Sequence, residues 1–224
     1  MTPEDWHLVG FTLGMAALST AVLIPPGLWL AWLLARRNWP GKTWVETVVA
    51  LPLILPPVAT GLILLKLFSR RSWLGAFLWE TFGLSVVFTW RGVVVALALM
   101  SLPLFVRSAR VAFAGVNRRH EQIAASLGAT PTRVFWTVSV PLARRGLLAG
   151  VLLAFARALG EFGATVVLAG NIPDRTQTLA LAIYQSVQMG DDDHAFRLLM
   201  ISLILAFVLA GTSEWLSRRP DTRP

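Results

Sequence analysis

Arg157 and Glu161 stand four positions apart inside an otherwise apolar stretch. On a helix that spacing puts two side chains one turn apart on one face, within ion-pair reach. A charge at the centre of a bilayer costs about 2.5–3.5 kcal/mol on the insertion scale, so such residues pair with one another or face water. Two uses follow. Either both residues line a path, with the arginine offering positive potential to an anion, or the charges cancel and fasten the helix to a neighbour. The second use is favoured for Glu161, because a bare carboxylate repels an anion. With the basic residue first, the order is the less favourable one for helix electrostatics, so helix stability alone does not account for the pair.

Other chemistry is scarce. Cysteine is absent, and His7, His120 and His194 lie far apart. Disulfides, thiol nucleophiles and cysteine-ligated metals are excluded, and a zinc catalytic site is not expected. Gly41-Lys42-Thr43 ends like a phosphate-binding loop, but position 36 is arginine where that motif needs its first glycine. It reads as a turn, and no ATP site is expected in this chain. Asp191-Asp192-Asp193-His194 has hard-cation chemistry, yet a cage needs about six oxygens in set geometry, and adjacent carboxylates point apart. It reads as a solvated loop. No catalytic residue, metal or cofactor is expected, and the chain is not read as an enzyme.

The elements that hold these residues follow from composition. Of 224 residues, 55% are apolar and 14% charged, and the mean hydropathy is +0.64. A soluble domain carries roughly 25% charged residues, so the implied solvent is a bilayer. The expected fold class is an all-α integral membrane protein, one transmembrane domain over 1–224 with about five spans at 8–35, 47–66, 91–113, 146–170 and 196–216. Glu4 and Asp5 precede the first apolar run and Arg36 and Arg37 follow it, the reverse of a cleaved signal. Pro52, Pro56 and Pro57 should kink the second span or make its inner start irregular. Residues 178–187 are too few to cross and read as a re-entrant or surface helix. Arg157, roughly 17 Å from the inner end of its span at 1.5 Å per residue, sits near mid-bilayer.

Net charge is +8, and its arginines sort by membrane side, which is not a nucleic-acid footprint. Arg36, Arg37, Lys42, the arginines from Arg107 to Arg145, and Arg218, Arg219 and Arg223 fall on one side, giving an N-out, C-in orientation. Trp6, Trp73, Trp79 and Trp90 near the outer boundary, and Trp32, Trp39, Trp44 and Trp215 near the inner one, agree with it.

The largest inner segment, 114–145, has too much pattern for a linker. Ile123, Ala124 and Leu127 recur at helical spacing, Gly128 suits a helix C-cap, and Thr130-Pro131 suits the start of another helix. That second helix carries Val134, Phe135 and Val138 on one face and is expected to stop at Pro141. Two short helices meeting at a glycine make a knob that another protein can grip.

Gln122-Ile123-Ala124, three residues, Gly128, nine residues, then Val138-Ser139-Val140-Pro141 is similar to the cytoplasmic loop of ABC importer permeases. Their pattern is Glu-Ala-Ala, three residues, Gly, nine residues, Ile-x-Leu-Pro. The spacing matches throughout; Gln122 replaces the acidic residue, Ile123 the first alanine, and Glu121 sits one position early. In that family the loop docks in a cleft of the ATP-binding subunit. The resemblance thus assigns coupling to Glu121, Gln122, Ile123, Ala124, Ala125, Leu127, Gly128, Ala129, Pro131 and Pro141.

The run from Ala154 to Thr165, with its Gly160-Glu161-Phe162-Gly163 core, resembles the fourth span of molybdate permeases. Leu51-Pro52-Leu53 with Pro56-Pro57-Val58, Ser69-Arg70-Arg71, Trp90-Arg91-Gly92 and Gly170-Asn171-Ile172-Pro173 resemble the same branch. Nearly the whole chain is covered. The resemblance implies a type I ABC importer permease fold in a bacterial inner membrane, moving molybdate or tungstate as a homodimer. It also implies two ATP-binding cassette subunits that hold ATP and Mg, and an external solute-binding protein for molybdate. Gly160, Gly163 and Ala164 form a small-residue strip, for which helix packing at the dimer interface is the favoured role; Gly163 joins Arg157 and Glu161 as a candidate for the path. A sulfate or thiosulfate importer is the nearest alternative. A secondary transporter ranks lower, since internal repeats and coupling-ion sites are not evident.

Overall fold

The structure, a computed structural model, describes the backbone of residues 3–217 and the side chains of 3–212. Arg218, Arg219 and Arg223 and the side chain of Trp215, used above for orientation, lie outside the described residues. Among the described residues every regular element is helical: α1 (Pro3–Arg36), α2 (Lys42–Ile54), α3 (Pro57–Phe68), α4 (Trp73–Phe82), α5 (Trp90–Ala114), α6 (Arg118–Ser126), α7 (Pro131–Val134), a π-helical turn (Phe135–Ser139), α8 (Val140–Leu159), α9 (Gly163–Leu168), α10 (Leu179–Met189) and α11 (Asp192–Ser217). Four stretches are long and apolar enough to cross a membrane: Pro3–Arg36, Trp90–Ala114, Pro131–Leu159 and Asp192–Thr212; the bent pair α2–α3 makes a fifth if it is one span.

The largest core lies where α1, α5 and α8 meet, built on Leu23, Leu34, Phe105, Phe113, Leu147 and Ala154. Burying each of these leucines and phenylalanines contributes about 1.5–3 kcal/mol in water; in lipid, close packing carries more of the load. The element α4 is not among those expected. Ser72 starts it, its hydroxyl accepting the Gly75 N–H at 3.1 Å, and Gly83, in the left-handed region at φ 63°, ends it.

Two expected spans are broken. Within 47–66 the chain turns by 112° between α2 and α3, far more than a kink. A residue before proline is driven out of the α region, and here this happens twice in succession. Leu55 precedes Pro56 and takes ψ 146°, and Pro56 precedes Pro57 and takes ψ 133°. Pro57 then serves as a first-turn proline of α3.

The expected span 146–170 differs at both ends. Its helix begins at Pro131, runs through Pro141 and ends at Leu159; α9 is a separate element. Pro141 therefore does not stop the second helix of the loop. The π turn moves the hydrogen-bond ladder into a new register, with the Val140 N–H bonded to Phe135 O five residues back. Pro141 then falls in the first turn of α8, where a missing donor is tolerated. Arg157 consequently stands in the last turn of its helix rather than at the middle of a longer one, and the loop of 114–145 contracts to the segment that carries α6.

Candidate functional site

Asn117 opens α6, its side-chain oxygen accepting the Arg119 N–H at 2.9 Å. The helix closes on a Schellman pair: Gly128 N–H donates to Ala125 O at 3.0 Å and Ala129 N–H to Ala124 O at 3.1 Å. This closure needs the left-handed backbone that Gly128 supplies at φ 85°. Thr130 then caps α7, its hydroxyl accepting the Arg133 N–H at 3.4 Å, with Pro131 next in line. The result is an ordered knob. Leu127 is 83% exposed and Ile123 50%, four positions apart on one face. Gln122, Ala125, Gly128, Pro131 and Pro141 are also exposed, whereas Ala124 and Ala129 are half-buried.

Glu121 is placed differently from its neighbours. Its carboxylate turns inward and meets Arg36 at the end of α1, with Oε1 accepting from Arg36 Nη2 at 2.8 Å and Nε at 3.1 Å. Ser139 Oγ donates to the same oxygen at 2.6 Å. Arg36 Nη2 also reaches Val116 O at 3.0 Å. The side chains of Arg36 and Glu121 are 8% and 17% exposed. Sequence reasoning missed Arg36 and Ser139 as partners. Arg36 counted only as an inner-side charge, and no local spacing links residues 85 positions apart.

Of the second expected set, Arg157 and Glu161 are brought together, while Gly163 packs against α3. Arg157 Nη2 lies 2.7 Å from Glu161 Oε2, and Glu161 Oε1 accepts the Ala164 N–H at 2.8 Å. Both carboxylate oxygens are occupied, as a side chain 1% exposed requires. Glu161 lies between α8 and α9 rather than on one continuous helix: Gly160 has poor helix propensity, and the carboxylate supplies the first turn of α9 with an acceptor. Gly163 is buried against α3, where a Cβ would come 2.7 Å from Pro57 Cβ. Gly61 on α3 faces Ala164 as closely, a Cβ there meeting the Ala164 Cα at 2.9 Å. Gly163 and Ala164, with Gly61 opposite, thus let α9 cross α3 within the chain, whereas Gly160 has no neighbour within 4 Å of where a Cβ would stand.

At the opposite end of α1, Asp5 is buried and its Oδ1 lies 3.2 Å from His194 Nε2. His194 Nδ1 lies 3.1 Å from Ser186 Oγ. Asp191 accepts the His194 N–H through Oδ1 at 3.1 Å, so the aspartate run caps α11. Among the described residues no group of three or more histidines, aspartates or glutamates is arranged to hold a metal ion. Lys42 bonds Asn38 Oδ1 at 3.0 Å at the start of α2, in a turn.

Comparison with known proteins matches residues 24–219 to the family described as binding-protein-dependent transport system inner membrane component. The chain is 44% identical over 219 residues to the molybdenum transport system permease protein ModB of Escherichia coli K12, covering 97% of this chain and 96% of that protein. To ModB of Haemophilus influenzae it is 42% identical over 212 residues, covering 94% and 93%. Sulfate permease 2 of the Chlamydomonas reinhardtii chloroplast is 37% identical over 219 residues, which are 98% of this chain and 58% of that one. Among solved structures, the fold is similar to a chain of the MetNI methionine ABC transporter, with TM-score 0.73 and 19% identity over 97% of this chain and 98% of that one. It is also similar to a chain of a bacterial alginate ABC transporter, with TM-score 0.75 and 17% identity over 99% and 81%.

Proposed function

We propose that this chain, which belongs to the family of binding-protein-dependent transport system inner membrane components, is the membrane-spanning permease subunit of an ATP-driven importer bringing molybdate into the cytoplasm. The observation that carries the reading is the 44% identity to a molybdenum permease along 97% of the chain. The ordered knob at α6, presenting Ile123 and Leu127 to solvent, supports a protein partner on that side.

In this reading two copies of the chain form the path about a two-fold axis, in a bacterial inner membrane with the N-terminus outside. Two ATP-binding cassette subunits, which hold ATP and Mg, grip the two α6 knobs, and a solute-binding protein delivers the oxyanion to the opposite face. Closure of the ATP-binding subunits draws the knobs together, and the bundle rocks between two packed states. Substrate affinity resides in the binding protein. Arg157, held in place by Glu161 and 25% exposed on its side chain, supplies positive potential to a passing dianion without a tight site. The chain itself hydrolyses nothing.

Uptake of radiolabelled molybdate by cells lacking the gene, with and without restored expression, tests the reading. Restored uptake that tungstate blocks and excess sulfate does not is the expected result. The likeness to a chloroplast sulfate permease favours one second reading: uptake of sulfate instead would keep the importer and overturn the substrate.

A further inference from the structure

We infer that Arg36, Glu121 and Ser139 form a clasp that locks the knob to two spanning helices at once, so that displacement of α6 is delivered to α1 and α8 together. The inference rests on the permease reading above and goes past it. It takes Glu121 out of the surface that meets the ATP-binding subunit and makes it a positioning residue inside this chain.

Three elements converge on one oxygen. Glu121 lies on α6, Arg36 in the last turn of α1, and Ser139 at the end of the π turn that leads into α8. Glu121 Oε1 receives Arg36 Nη2 at 2.8 Å, Arg36 Nε at 3.1 Å and Ser139 Oγ at 2.6 Å. The backbone is tied in as well: Arg36 Nη2 bonds Val116 O at 3.0 Å, ahead of α6, and Arg118 Nη2 returns to Arg36 O at 3.3 Å. A charge-assisted, screened node of this kind resists sliding in a way an exposed pair does not. Arg110–Glu46, at 2.9 Å but with side chains 39% and 31% exposed, is the chain's own example of the weaker kind.

The π turn is part of the device. One residue added to the turn rotates everything after it relative to everything before it. Ser139, buried at 1% exposure, comes to face Glu121 while α8 keeps Leu147 and Ala154 in the core. Without the clasp, α6 would be held by the segments 115–117 and 127–130, by the exposed Arg118–Arg36 O bond and by its packing on α7 and the π turn, and a pull on Leu127 would strain these ties before it moved α1. Exposed Ile123 and Leu127 receive the force, and inward-facing Glu121 passes it on.

The test uses the whole complex, purified with its ATP-binding subunit and reconstituted in vesicles with its binding protein, read as molybdate taken up per ATP hydrolysed. Glu121→Gln and Arg36→Glu are each expected to lower that ratio by about 10-fold or more, since the first leaves the Arg36 charge uncompensated and the second sets two carboxylates against each other. The amount of co-purified ATP-binding subunit should stay at the unsubstituted level. The charge exchange Arg36→Glu with Glu121→Arg should recover part of the loss, because it restores the ion pair but neither the bond to Val116 O nor the acceptor for the Ser139 hydroxyl. Ser139→Ala should lower it by less than either single charge change.

Co-purified ATP-binding subunit lost in step with uptake in Glu121→Gln would place Glu121 at the partner surface and overturn the clasp. So would an unchanged ratio, or an exchange variant that recovers nothing. An unsubstituted complex without ATP-driven uptake would overturn the permease reading itself, and the clasp with it.

Discussion

Two arginine–glutamate pairs of nearly equal length, Arg36–Glu121 at 2.8 Å and Arg157–Glu161 at 2.7 Å, do different work. The Arg157–Glu161 pair is local. Its carboxylate lies past the end of α8, takes a backbone N–H of α9 and so shapes a single stretch of chain. The Arg36–Glu121 pair is distant. It holds α1, α6 and the π turn in one arrangement and shapes no helix by itself. Identical chemistry thus either writes a break into the backbone or fixes rigid pieces against each other, depending on sequence separation.

The contrast can be broken at four places. Glu161→Ala should have the largest effect on stability, about 3–5 kcal/mol, because it strips Arg157 of this partner and the Ala164 N–H of its acceptor. Thermal unfolding of the purified complex in detergent measures it. Glu161→Gln keeps an acceptor and should lose less; equal losses would mean that charge neutralisation, not the backbone bond, holds the break. Gly128→Pro comes next, at about 3 kcal/mol or more, since proline reaches neither φ 85° nor the bond to Ala125 O. ATP-driven uptake should vanish while the protein still appears in the membrane fraction, and normal uptake would sink the coupling role of the knob.

Gly163→Val should cost about 1–3 kcal/mol by overpacking α9 on α3. A variant as stable as the parent would show that α9 can move off Pro57. Leu127→Ser should be the mildest, within about 0.5 kcal/mol of the parent in stability, as an exposed site allows. Even so, the ATP-binding subunit recovered with it should fall sharply. Undiminished recovery would separate the exposed knob from partner binding.

Much of the architecture is readable in one dimension where its cause is local. The apolar runs of α1, α5 and α11 are long enough to mark spans. Gly128 and Thr130-Pro131 mark the turn between α6 and α7, because the αL closure and the first-turn proline are properties of single residues. Arg157–Glu161 is legible for the same reason, its partners being four positions apart. The 112° turn was half legible: Pro56-Pro57 announces a disruption, but its angle depends on what α3 packs against. Pro141 misleads because the π turn upstream, which makes the proline harmless, has no residue signature of its own.

The sequence by itself determined the solvent, the helical class, the ordered knob and the local ion pair, all of which follow from composition and from contacts within a few residues. Only the tertiary structure decided that the fourth expected span divides at Gly160, that Gly163 lies on Pro57, and that Glu121 faces Arg36 rather than solvent. The physical reason is the same each time. These outcomes depend on which surfaces meet after the helices assemble, and a partner 85 positions away leaves no periodicity or spacing in the chain that would announce it.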